Sequence, residues 1–156
     1  LGGVLNNSGH DVEAAQRFLE ASERYPEGSE DWAVATAWAF HMLAKEECTE
    51  VAKPEWWNDE GLKALSAKVV RAAPDELQAQ QMRAEVLSGG GHLGAWEAGP
   101  RSAAELGEAA MHWERAAALC PAPLGLAAFT RHAEACRRLA DRAEAVSVLE
   151  QLVRNW

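Results

Sequence analysis

Prolines at positions 26, 74 and 121 each follow an alanine-rich run, and the intervals between them, 48 and 47 residues, are nearly equal. Proline cannot continue a helix, because it lacks the N–H and its ring collides with the preceding turn. Evenly spaced stops after strong helix formers divide the chain into helical units, each obliged to bury its apolar side on the next. Alanine supplies the largest part of the 48% apolar content, isoleucine is absent and valine is sparse, which favours helix over sheet. The expectation is an all-α fold in a single domain of 156 residues, long enough to bury a sizeable core.

The stops and caps give a series of helix pairs over 1–26, 29–74, 76–121 and 124–156. Ser29 is a candidate N-cap followed by Glu30 and Asp31, acidic groups suited to the positive end of a helix dipole. Its helix is expected to run to about Cys48, with a partner from about Asp59 to Ala73. Asp75 with Gln78, Ser102 with Glu105, and Asp141 with Glu144 have capping-box spacing. Asp141 thus predicts a break between one helix over 124–140 and another from Arg142 onward. Counted this way, the chain holds seven long helices and a fragment of an eighth at its start.

The formal charge of −9 argues against nucleic acid or an anionic membrane surface as a partner. Its bland source is solvated helix faces. No segment approaches the roughly 18–20 uninterrupted apolar residues a membrane span requires. Cys48, Cys120 and Cys136 are odd in number and irregularly spaced, which fits a reducing compartment better than a disulfide framework.

Small and large residues also recur in a set order. Gly2, Leu5, Gly9, Ala14, Phe18, Ala21 and Pro26 resemble the roughly 34-residue unit of tetratricopeptide (TPR) repeats, and Phe129, Ala133, Cys136, Ala140, Ala145, Leu149 and Leu152 repeat the order near the end. Ala109, Trp113, Ala116 and Pro121 carry its second half. Leu62, Ser66 and Val69 depart from it, and the middle pairs carry insertions of about 13 residues, so HEAT-type and other α-solenoid repeats stay open as alternatives. The resemblance implies a right-handed α-solenoid of TPR-like antiparallel hairpins. The alignment opens in mid-helix, from which upstream residues are expected. The stretch Ala95-Trp96-Glu97-Ala98-Gly99-Pro100 is similar in wording to repeat proteins numerous in unicellular algae, which implies an organellar setting, a plastid among the options.

TPR proteins hold a peptide or helix in a concave groove lined by each first helix. Carried over by position, that lining is Glu30, Ala33, Ala37, Phe40 and His41, then Gln78, Gln81, Glu85 and Ser88, then Ala127, Thr130, Glu134, Arg137 and Arg138. The lysine and asparagine set with which some TPRs hold a C-terminal carboxylate is missing. The function implied is a non-catalytic protein–protein interaction or scaffold module, a subunit or assembly factor of a larger complex.

Chemistry is thinly represented. His132 and Cys136, four apart on one helix face, could supply two zinc ligands, but Cys136 already has a packing position. His41 reads as a structural histidine. Gly89-Gly90-Gly91 follows a helix and lacks the Lys-Ser/Thr of a phosphate loop, so it reads as a hinge. No enzyme, metal or cofactor is expected. Among the seven tryptophans, Trp32, Trp38 and Trp113 have core spacing, whereas Trp56, Trp57 and Trp96 fall in the two insertions. Loop aromatics are enriched at interfaces, so these three are partner-contact candidates, with self-packing as the competing outcome. A second class of function, a small-ligand or pigment binder lined by Trp56, Trp57, Trp96 and His41, predicts that those side chains converge on an enclosed cavity.

Overall fold

The computed structural model describes residues 2–90 and 95–156, with side chains from residue 10 onward. Six α-helices are present and no strand occurs among the described residues: α1 (Gly2–Arg24), α2 (Glu30–Leu43), α3 (Asp59–Ala72), α4 (Leu77–Leu87), α5 (Ala103–Leu119) and α6 (Pro123–Asn155), with a 3-10 turn at Glu46–Cys48. Packing follows chain order: α1 on α2, α2 on α3 and α4, α3 on α4, α4 on α5, and α5 on α6.

Local chemistry sets most of the starts. Ser29 Oγ accepts from the Trp32 amide at 3.2 Å. Asn58 Oδ1 accepts from the Gly61 amide at 2.8 Å and opens α3. Ser102 and Glu105 form a reciprocal capping box at the head of α5, each satisfying an amide that has no partner within the helix.

Four boundaries differ from expectation. The first pair, 1–26, is one helix: the backbone runs through Gly9 unbroken, since one glycine costs only about 1 kcal/mol in a helix interior and no proline interrupts the run. The last pair is also one helix of 33 residues. After Gly125 that segment contains no glycine or proline, and its alanine, arginine, glutamate and leucine outweigh Asp141 as a stop. Helix α2 ends at Leu43 rather than Cys48, where Lys45 turns extended and a 3-10 turn follows. At α4 the N-cap is Glu76 without a side-chain bond, so the Asp75–Gln78 box does not form. Gln80 instead donates to the Pro74 carbonyl at 2.7 Å. Among the described residues there are therefore six long helices, not seven or eight.

The main core gathers Trp32, Ala37, Phe40, Leu62, Val69, Met82 and Val86 from α2, α3 and α4. A second joins Ala84 and Leu87 of α4 to Ala109 and Trp113 of α5 and to Ala133 and Cys136 of α6. A smaller one seats α1 through Ala15 against Leu43 and Cys48. Alanine at these seams lets helix axes approach closely, as the packing density of interiors requires.

Candidate functional site

The two insertions fold onto each other. Phe40, fully buried, lies 5.6 Å from the Trp57 ring and 5.8 Å from the Trp96 ring, and Trp56 lies 5.9 Å from Trp57. The Trp57 indole donates to the Ala95 carbonyl at 3.0 Å, and the Trp96 indole donates to Asp59 Oδ1 at 3.1 Å. Asp59 also accepts from Arg101 at 2.6 and 2.9 Å and from the Gly99 amide at 3.1 Å. Arg101 reaches on to the Leu87 and Val86 carbonyls at the end of α4. These donors, Arg101 first, hold the Asp59 carboxyl well below the usual carboxylate range. Two close approaches depend on glycine. A Cβ on Gly61 would stand 2.6 Å from the Trp56 carbonyl, and one on Gly90, whose φ is +53°, would stand 2.3 Å from the Trp96 ring.

Phe40 is thus a core residue rather than part of an open groove. Trp57 and Trp96 use their indole N–H groups inside the molecule, and Trp56, half-buried, packs on the same core. The cavity beside these inserts, about 220 Å³, is lined by Leu43, Ala44, Lys45, Glu46, Thr49, Lys53 and Ala95, not by the tryptophan rings.

The rest of the expected groove falls into separate places. The His41 ring donates to the Gln78 carbonyl at 3.0 Å, joining α2 to α4, and burial lowers its pKa to about 4. Gln81 donates to Glu85 at 3.3 Å on α4. Burial of Glu85 raises its pKa to about 7, the Gln81 bond opposing the shift. Glu30 is exposed at the start of α2. Glu134, Arg137 and Arg138 are exposed on α6, where Arg137 Nε donates to Glu114 of α5 at 2.9 Å. His132 and Cys136 flank Trp113, the His132 ring 4.7 Å from it and Cys136 in the same core cluster.

Two features lay outside the sequence reading. His112 is buried on α5, donates from Nδ1 to Gln80 Oε1 at 2.7 Å, and has its pKa lowered to about 4 by burial. The second is the far half of α6. Phe129, Ala133, Cys136 and Ala140 form the row that α6 turns toward α5. Continued at the same spacing, that row meets Ala143, Ser147, Glu150 and Arg154. The apolar row of the second half, Ala145, Leu149, Leu152 and Trp156, is offset by two residues. At about 100° per residue, the offset turns it to the opposite side of the helix. Leu149 is 61% exposed, Leu152 60% and Val153 76%. A shallow apolar cleft runs between Val146, Leu149 and Val153.

Comparison with protein-family models, with curated proteins and with solved structures finds no match for this chain.

Proposed function

We propose that this chain is a non-catalytic protein–protein interaction module of packed α-helices, a subunit or assembly factor of a larger complex, that docks through the second half of α6. The observation that carries the reading is the solvent-facing stripe of Leu149, Leu152 and Val153 on a helix that extends beyond α5, its one extensive packing partner among the described residues. Scattered apolar side chains are ordinary on protein surfaces, but a contiguous stripe marks an interaction site. A helix with such a stripe presents anchors at i, i+3/4 and i+7, the spacing by which helices lie in grooves or against other helices. The inserted tryptophans are engaged internally and serve to brace the α2–α4 body that carries this helix.

The test places a photo-crosslinking side chain at position 149 in one variant and at the exposed Glu13 of α1 in another. Position 149 is expected to capture a defined polypeptide, and Leu152→Asp is expected to abolish that capture. Equal, unselective labelling from both positions would refute the docking role.

A further inference from the structure

We propose that the polypeptide covering this face is a second copy of the chain, the two α6 helices pairing antiparallel about a two-fold axis beside Leu149. The proposal rests on the interaction reading above and commits it to one occupant.

Charge is the first argument. The chain carries −9 overall, so two copies repel across most of their surface. From residue 138 to 156, however, Arg138, Arg142 and Arg154 balance Asp141, Glu144 and Glu150. Contact is least opposed where the apolar stripe lies.

Register is the second. With Leu149 at the axis, Leu149 packs on its own copy and Ala145 lies level with Val153 of the second copy, small against large. Arg142 then meets the exposed Trp156 ring of the second copy, a cation over an aromatic face, and Glu144 comes level with Arg154, its opposite in charge. No like charges oppose one another. A parallel pair would set Arg142 against Arg142 and Arg138 against Arg138, which costs stability in any helix pair.

Shape is the third. The α5 side of α6 lies opposite the stripe, so each body stands away from the contact, and antiparallel pairing sends the two bodies to opposite ends. Elsewhere among the described residues, the exposed large apolar side chains outside α6 are Tyr25 and Leu119, which form no stripe of matching length. An isologous contact that closes on itself is therefore favoured over a head-to-tail chain. The paired segment spans about 15 residues, roughly 22 Å, which places the interface near the lower limit of about 1,200 Å² for stable association. The dimer is accordingly concentration-dependent.

Sedimentation equilibrium on the full chain tests this. Wild type is expected to pass from monomer to dimer over about 10–100 μM. Leu149→Glu and Leu149→Lys alone are each expected to weaken the dimer at least about tenfold with unchanged circular dichroism, and an equimolar mixture of the two to form a heterodimer as tight as wild type. An Ala145→Cys chain mixed with a Val153→Cys chain, both with Cys120→Ser, should cross-link to each other in preference to themselves. A wild-type monomer at the top of that range, higher oligomers, or no recovery in the charge-reversed mixture would overturn the pairing. A monomer whose position 149 still cross-links to a different polypeptide overturns the second copy as occupant while the interaction role stands. A dimer that cross-links to nothing but itself upholds the pairing and refutes membership of a larger complex.

Discussion

Asp59 joins an indole, a guanidinium and a backbone amide contributed by residues 37 to 42 positions away. Its carboxyl is held far below the usual value near 3.9, so its stabilising contribution is complete at neutral pH and is lost only as pH falls well below 4. Asp59→Asn should lower unfolding free energy by about 2–3 kcal/mol at pH 7, because Arg101 would keep its burial without its counter-charge. Urea denaturation would measure it. Glu85 has the opposite sign. Its folded pKa, about 7, lies above the ordinary carboxylate value, so its contribution is complete below about 4.5 and is lost as pH rises through 7. Glu85→Gln should therefore gain stability relative to wild type between pH 5 and 8, by up to about 3 kcal/mol. Thermal melts of the two proteins in parallel would show the difference widening with pH. His41 and His112, lowered to about 4, add a contribution present above about 6.5 and lost in acid. The comparison must accordingly be made as a difference between variants.

At the scale of elements, what the sequence made legible was what neighbours decide. Ser29 and the Ser102–Glu105 box were readable because cap and amide lie three residues apart. The helical class followed from alanine and the missing isoleucine. The Asp59–Arg101 clamp and the Gln80–His112 bond were not readable, since their partners stand 42 and 32 residues apart and only the folded chain brings them together. Asp141 misled because its spacing to Glu144 fits a cap, although strong helix formers flank it on both sides. Asp141→Ala should consequently leave stability within about 0.5 kcal/mol of wild type, where loss of a true N-cap would cost about 1 kcal/mol. The joint between the inserts gives a sharper contrast. Gly90→Ala combines a positive φ with a methyl driven into the Trp96 ring, whereas Gly28→Ala has a positive φ and open space around it. The first should cost at least about 2 kcal/mol and shift tryptophan emission, and the second about 1 kcal/mol without a spectral change.

For the whole molecule, the described helices pack in chain order, and α6 extends past α5, on which it packs. Leu152→Asp should leave the melting temperature of the dilute protein within a degree or two of wild type, because the side chain is exposed and supports no core. At high protein concentration the same variant should melt lower than wild type, since association no longer adds its share. Differential scanning calorimetry at two concentrations separates these outcomes. The half-turn between the inward row of Phe129, Ala133 and Cys136 and the outward row of Leu149 and Leu152 has a longer-range consequence. One continuous rod is anchored by one flank and, in the docking role proposed above, recognised by the other, so changes that sharpen or abolish recognition need not disturb the anchorage. Selection could retune what this protein holds on to without having to refold what holds it up.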